Sequence, residues 1–389
     1  MTPRVAVIHP QLVPGGGSEV CAMWALQALA GDHRATLITM GQADLAALNR
    51  SCGTSVDPGR IDVRTLPIPP GLRRRFDALR ATGLERYCRR HAGDFEVMIS
   101  TYNVMDFGRP GIQYVVDFSF DDDLRREVHA ESGAADGVVY AASAGRSLYM
   151  AAARALSGRA PDGWRRNRTL AVSGWVRGML RDRFDVPSTV LYPPVSVEPP
   201  RVPWEEREAG FVVMGRFVPE KGIPLIIDIL SRVREAKPVH LHVLGRPGRS
   251  AHAREIERLC RDRAGWVHLE GEMYGPDKDA FLARHKYGIS GCRGEAFGIA
   301  IAEMVKSGAI VWVPDGGGQT EVVSDPGLIY RGRDDAVARI LAVLGDAERE
   351  AALRRHLEGR AALFSSGRFV AGVRTAVQDL LTEAPGRGA

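Results

Sequence analysis

Two glutamates, Glu295 and Glu303, stand eight residues apart in the stretch GEAFGIAIAE at 294–303, with an apolar helix start between them. A helix beginning at Phe297 and Gly298 would point its first N–H groups outward at a phosphate. Glu295 would then stay in the preceding loop and Glu303 would lie about one and a half turns in. Carboxylates so placed suit vicinal hydroxyls, one holding those of a sugar and the other a ribose diol. Upstream, MGRFVPEKG at 214–222 delivers Arg216 from a strand end and Lys221 from the turn that follows. Arginine grips phosphate oxygens with two parallel donors and lysine acts as a compact point charge, so the two cations suit a diphosphate; the plainer alternative is a pair of solvated loop charges. Lysine is scarce here: the 52 Lys and Arg residues include only five lysines, all from Lys221 onward. Near the N-terminus, Gly15, Gly16 and Gly17 join the first apolar run to an Ala-rich helical one. Such a cluster lets backbone approach an anion, but its spacing is not G-x-G-x-x-G, and a tight turn explains it equally well.

These residues need a sheet to bring them together. Apolar runs at 5–8, 35–39, 97–100, 114–116, 169–172 and 190–192 alternate with longer helical or loop stretches. That rhythm predicts α/β structure with a parallel sheet. Prolines 193, 194, 199, 200 and 203 exclude a helix interior or a central strand, so an interdomain linker is placed at 193–203. A second rhythm follows, with strands at 211–214, 240–244, 266–269, 287–290 and 310–313 and helices at 225–236, 254–263 and 334–344. A late amphipathic helix is expected at 369–381, with a frayed tail at 385–388. The domains read as 1–195, 196–365 and 366–389, the last a helix plus tail.

Composition excludes several classes. With 389 residues, 45% hydrophobic and 25% charged, the chain can bury a sizeable core, and two or three domains are expected. No apolar run approaches the roughly 20 residues that span a bilayer. The N-terminal run is too short for a signal segment and reads as a first strand, so a cytoplasmic protein is expected. The five cysteines are far apart and lack C-x-x-C or Cys/His spacing, which argues for a reducing compartment and against structural zinc. A net charge of +5 without a basic tail argues against nucleic acid as a partner.

The ordered set of motifs resembles the family-four retaining glycosyltransferases, whose signature is E-x7-E. The resemblance runs from the N-terminal glycine loop through Ser173-Gly174-Trp175, Tyr192-Pro193-Pro194-Val195 and Gly215-Arg216-Phe217 to Lys221-Gly222, Glu295, Glu303 and Gly317-Gly318-Gln319-Thr320-Glu321. It implies the GT-B fold, with two Rossmann-like domains facing each other across a cleft, 1–195 on the acceptor side and 196–365 on the nucleotide-sugar side, and a helix in 366–389 that crosses back to the first domain. It also implies a retaining, metal-independent transfer of a sugar from a UDP or GDP sugar to a hydroxyl, with no cofactor beyond that donor substrate. Arg216 and Lys221 would bind the diphosphate and stabilise its departure, and Gly16 and Gly17 would complete that site from the other domain. Glu303 would hold the ribose. Glu295, with the amides of Phe297, Gly298 and Ile299, would position the transferred sugar and its phosphate, and the base would be read near Glu272 and Met273. Where many members place a histidine close to the reacting sugar, this chain has Asp117. That side chain either accepts a hydrogen bond from the donor sugar or stabilises positive charge at the anomeric carbon, unless it is simply an N-cap or a surface aspartate.

The acceptor is the least legible partner. Seven arginines in 72–90, on a helical pattern, fit either weak peripheral contact with an anionic inner membrane surface and a lipid-linked glycan, or a surface helix with its apolar stripe on the core. The acidic run 121–123 points instead to a cationic small natural product; its D-x-D look is discounted as a metal site because the surrounding motifs belong to the metal-independent class. The region 132–168 reads only as helical with loops. The competing activities are a sugar-nucleotide epimerase or phosphorylase on the same fold, a nicotinamide dehydrogenase, which the missing dinucleotide fingerprint disfavours, and a catalytically dead binding subunit.

Overall fold

A computed structural model describes residues 2–67, 77–131, 148–149, 152–153, 155, 158, 160, 162–246 and 248–383. These divide into two compact units, one drawn from 1–122, 140–194 and 366–389, the other from 123–139 and 195–365.

The first unit is built on a seven-stranded parallel sheet. Its strands are β1 (Arg4–Ile8), β2 (Arg34–Met40), β3 (Ile61–Leu66), β4 (Val97–Ser100), β5 (Ile112–Val115), β6 (Arg168–Ala171) and β7 (Ser188–Val190), in the order β3-β2-β1-β4-β5-β6-β7. The central strands β1, β4 and β5 are almost wholly buried, which is why they read as continuous apolar runs. The strand β3 was absent from the sequence reading. It lies at the sheet edge, with only Ile61 buried, and its sequence IDVRTL interleaves charge with apolar residues. The closing helix Ser366–Glu383 belongs to this unit. It buries Phe369, Val373 and Val377, sends Arg374 Nε to the Ala28 carbonyl at 2.9 Å, and places Asp379 and Glu383 on Arg168 at 2.9 and 2.7 Å.

The second unit carries six parallel strands, β8 (Glu208–Met214), β9 (His240–Leu244), β10 (Val267–Gly271), β11 (His285–Ile289), β12 (Ile310–Pro314) and β13 (Ile329–Tyr330), ordered β10-β9-β8-β11-β12-β13. The core runs through Phe211, Tyr287 and Trp312, whose ring centroids lie 5.1 to 5.9 Å apart. In this order β8 and β11 are neighbours although two strands, β9 and β10, lie between them in sequence, and the connections leave them in opposite directions. Such a switch point leaves a crevice at the carboxyl ends of the strands, where open α/β sheets bind ligands.

Both units therefore have the parallel α/β architecture that the strand rhythm predicts. Differences are local. The helices expected at 225–236, 254–263 and 334–344 begin one to three residues earlier, as Ile223–Arg234, Ala251–Arg261 and Arg333–Leu341. The helices Gly275–Ala283 and Ala347–Ala361 were not anticipated. Of the basic stretch 72–90, residues 72–76 lie outside the described residues, and 77–90 form a helix that buries Leu84 and Cys88 in the core and pairs Arg89 with Asp106 at 3.6 Å. Its apolar residues thus face the core, while Arg86 and Arg90 are exposed. The acidic run at 121–123 opens the helix Asp122–Glu131, where Asp123 pairs with Arg126. Most of 132–161 and the tail at 385–388 lie outside the described residues. Among the described residues, no helix is long and apolar enough to cross a membrane.

Candidate functional site

The loops at the carboxyl ends of β8, β9 and β11 pack backbone on backbone, and glycine makes this possible. A Cβ at Gly245 would sit 1.9 Å from the Gly215 carbonyl oxygen. One at Gly222 would sit 2.7 Å from the Gly291 oxygen, and Gly222 also adopts a left-handed φ of 61° as it caps the helix Ile223–Arg234. The turn that carries Lys221 is thereby pressed onto the loop that carries Glu295.

The consequence is a close ion pair. Lys221 Nζ lies 2.5 Å from Glu295 Oε2, with about a quarter of each side chain exposed. Burial works against both charges, yet the pairing prevails: the carboxylate raises Lys221 above the usual lysine range, and the ammonium, with a smaller contribution from Arg216, holds Glu295 below the usual carboxylate range. Arg216 itself is exposed and makes no hydrogen bond or ion pair among the described residues.

Glu303 is held in a similar way. Its Oε1 lies 2.7 Å from Lys278 Nζ, both side chains being 14% exposed. Lys278 comes from the helix Gly275–Ala283 and was not singled out in the sequence, although lysine scarcity was a signal that reached it. Two of the five lysines therefore sit on the two spaced glutamates. A third, Lys306, donates to the Val195 carbonyl at 2.7 Å.

The helix between the glutamates starts later than expected. It runs Ile299–Lys306, and Gly298, at a φ of 94°, is its N-cap with no side-chain cap. Phe297 does not open the helix; it is buried and packs edge-on against Phe364 at 5.2 Å. The N–H groups of the first turn are thus those from Ile299 onward, left without a side-chain acceptor at the cap.

Behind Glu295 sits the second glycine loop. Gly318 N–H donates to the Glu295 carbonyl at 2.8 Å, and a Cβ at Gly317, whose φ is 76°, would meet that same oxygen at 2.5 Å. Gln319 is fully buried, donating to the Cys292 and Pro314 carbonyls while Ser290 Oγ donates to its Oε1 at 3.1 Å. The Gly-Gly-Gln motif works as a buckle that fixes the Glu295 loop. Further along the sheet edge, Glu272 accepts from Arg246 Nε and from the Tyr274 hydroxyl, each at 2.9 Å, and Met273 beside it is half-buried. Neither Arg246 nor Tyr274 was anticipated.

In the first unit, Gly16 is the N-cap of the helix Gly17–Leu29 and has ordinary extended backbone; the positive φ of 97° belongs to Gly15. The Glu19 carboxylate occupies the space a Cβ at Gly16 would take, 2.0 Å from it, so a larger residue there would have to displace that side chain. That carboxylate, which the sequence reading passed over, accepts from Ser18 Oγ at 2.8 Å in the first turn, where the helix dipole favours negative charge. His9, at the end of β1, is buried with neither ring nitrogen partnered, and burial pushes its pKa down to about 3.

Asp117 is neither a loose surface residue nor a helix cap. Its Oδ1 accepts from Asn103 Nδ2 at 2.5 Å and from Ser119 N–H at 2.8 Å. Asn103 is buried with a φ of 64°, and its own Oδ1 accepts from the Val116 and Asp117 amides. A non-glycine residue in that region signals a conformation held by its surroundings. Oδ2 of Asp117 accepts no hydrogen bond among the described residues.

Residues 208–358 match the family model of the group 1 glycosyl transferases. No curated protein matches the chain. Among solved structures, the sucrose-phosphate synthase of Thermosynechococcus elongatus is similar at a TM-score of 0.71 and 14% identity, covering 98% of this chain and 100% of that one. HepE of Anabaena, solved in complex with UDP and glucose, is similar at 0.67 and 15%, covering 98% of this chain and 99% of that one. WaaG, a glycosyltransferase involved in lipopolysaccharide biosynthesis, is similar at 0.66 and 14%, covering 98% and 100%. At such identities the likeness establishes the fold: the chain has the two parallel-sheet α/β domains of the GT-B glycosyltransferases, and its second sheet carries the match to group 1.

Proposed function

We propose that the protein is a retaining, metal-independent glycosyltransferase that moves a sugar from a nucleoside-diphosphate sugar to a hydroxyl acceptor. The observation that carries this reading is the pair of lysine-held glutamates, Lys221 with Glu295 and Lys278 with Glu303, in the segments that follow β8, β10 and β11. The group 1 match over 208–358 supports it, and the UDP complex of HepE supports UDP as a candidate nucleotide beside GDP.

In this reading the diphosphate lies against Arg216, Lys221 and the uncapped first turn from Ile299, with Phe297 and Gly298 shaping that turn. The charge that grows on the leaving group meets fixed positive partners, which is the largest kind of contribution an enzyme site makes. Glu303 takes the ribose hydroxyls, Glu295 the hydroxyls of the transferred sugar, and backbone around Glu272 and Met273 the base. From the first unit, Gly16 and Gly17 serve the diphosphate and Asp117 the sugar, offering its free Oδ2 as an acceptor. A phosphate oxygen of the donor takes the acceptor's proton, so no separate protein base is invoked. The acceptor is a lipid-linked glycan or a small natural product.

The test is product analysis. Incubation with UDP and GDP sugars and a panel of hydroxyl acceptors should release nucleoside diphosphate, and the product's anomeric proton coupling should match that of the donor. Inverted product, free sugar-nucleotide epimer, or transfer that requires inorganic phosphate would replace this reading.

A further inference from the structure

At the opposite end of the second sheet, the first residues of the strands gather a cluster that sugar transfer does not use. Glu208 opens β8, His240 and His242 lie two apart on β9, and His285 opens β11. Sheet register sets them on one face: His285 pairs with Glu208 and His240 with Gly210, and residues two apart on a strand share a face. Each of the four side chains offers a nitrogen or oxygen atom within 4.8 Å of those of the others. Glu208 Oε2 is 3.4 Å from His240 Nε2 and 3.9 Å from His285 Nε2.

Two of the imidazoles are oriented from behind. His285 Nδ1 lies 2.7 Å from the Phe281 carbonyl, which can only accept, so the proton sits on Nδ1 and Nε2 carries a lone pair. His242 Nδ1 lies 2.7 Å from Glu270 Oε1, which fixes the same tautomer. Both Nε2 atoms are buried and without a hydrogen-bond partner, on side chains that are only 2% (His285) and 12% (His242) exposed. A buried, unpaired ring nitrogen is costly unless something fills its place. A backbone carbonyl or a carboxylate behind the ring is the usual second layer of a metal-bound histidine. Burial, against the pull of the Phe281 carbonyl, pushes His285 down to about 4, so the ring is neutral at physiological pH, the form that coordinates. Finally, Gly210 leaves the space open: a Cβ there would lie 2.5 Å from His240 Nε2 and 2.7 Å from His285 Cδ2.

We propose that His240, His242, His285 and Glu208 form a binding site for a zinc-like divalent transition metal, separate from the proposed sugar-transfer site. Three imidazoles and one carboxylate match the donor set and coordination number of zinc, and bond lengths of about 2.0–2.2 Å imply ligand atoms roughly 3.4 Å apart. The present spacings reach that set through side-chain adjustments of about an ångström. Glu208, about half exposed, is the ligand on the solvent side. The metal would tie the first residues of three strands together, a structural role that would correct the expectation drawn from cysteine spacing, because its ligands are histidines and a glutamate.

The experiment is a zinc titration of tag-free, chelator-stripped full-length protein against a competing chromophoric chelator, with metal content measured on the isolated complex. The expected result is one zinc per chain and a raised thermal midpoint on loading. Affinity should fall at least tenfold in Glu208→Gln and in His240→Gln. It should fall roughly 10–100-fold in Glu270→Gln, which touches His242 and not the metal. Glu208 and His240 are not fully buried, and unfolding midpoints in excess chelator confirm that these variants are folded. No zinc bound by the wild type at about 100 μM free metal, or unchanged affinity in the Glu208→Gln/His240→Gln double variant, overturns the proposal.

Discussion

Lys221 and Glu295 hold each other at 2.5 Å, and each owes its shifted pKa to the other. Glu295 is depressed in the fold, so its contribution to stability is present above its unfolded value of about 4.3 and is lost as pH falls through the folded value. Lys221 is raised, so its contribution is present below about 10.4 and is lost as pH climbs through its folded value. The difference in thermal midpoint between wild type and the Lys221→Met/Glu295→Gln double variant should therefore be flat across the neutral range and change at both acid and alkaline ends. A difference independent of pH would remove the charges from this explanation. On catalysis, Lys221→Ala should lower turnover by about two to four orders of magnitude, the scale for losing a partner of transition-state charge. Asp117→Asn should slow transfer while leaving nucleotide affinity close to wild type, because Asn103 and Ser119 can still hold the remaining oxygen. Equal loss of both would make Asp117 structural.

The loops that bring these residues together depend on a few glycines. Gly222→Ala asks a left-handed φ of 61° of an alanine and drives its Cβ to 2.7 Å from the Gly291 oxygen. We expect a loss of about 1–3 kcal/mol or more in denaturant unfolding, with nucleotide binding weakened because Lys221 moves with the turn. Wild-type stability would contradict the close packing of the two loops. Much of this level was legible in the sequence. Strands such as β1 and β12 are buried on both faces and announce themselves as apolar runs. By contrast, β3 is a largely exposed edge strand that mixes charge with apolar residues, and β13 has only two residues. The spacing of Glu295 and Glu303 was readable because both flank one helix. Their partners were not, since Lys278 lies 25 residues from Glu303 and Lys221 lies 74 from Glu295, distances that only the strand order closes. The histidine cluster is illegible for the same reason: its members sit at the starts of three strands, and register alone brings them to one face.

Over the whole chain, the closing segment matters as much as any motif. The helix Ser366–Glu383 lies far along the sequence from the first unit yet supplies Phe369, Val373 and Val377 to its core, along with two carboxylates for Arg168. At about 1.5–3 kcal/mol for each large apolar side chain, removing it should cost roughly 5 kcal/mol or more. A chain ending at Ser365 should thus unfold in its first unit at much lower denaturant while the transition of the second is preserved; one unchanged transition would contradict the division. The central claim concerns that second unit and its grip on an activated sugar. Calorimetric titration of UDP-glucose and UDP into the full-length protein and into Lys221→Ala tests it most directly. The account predicts saturable one-to-one binding to the wild type and affinity lower by roughly tenfold or more in the variant, the scale of one lost charge-assisted hydrogen bond. Equal affinity in both proteins, or no binding of UDP or of any UDP or GDP sugar, would contradict it.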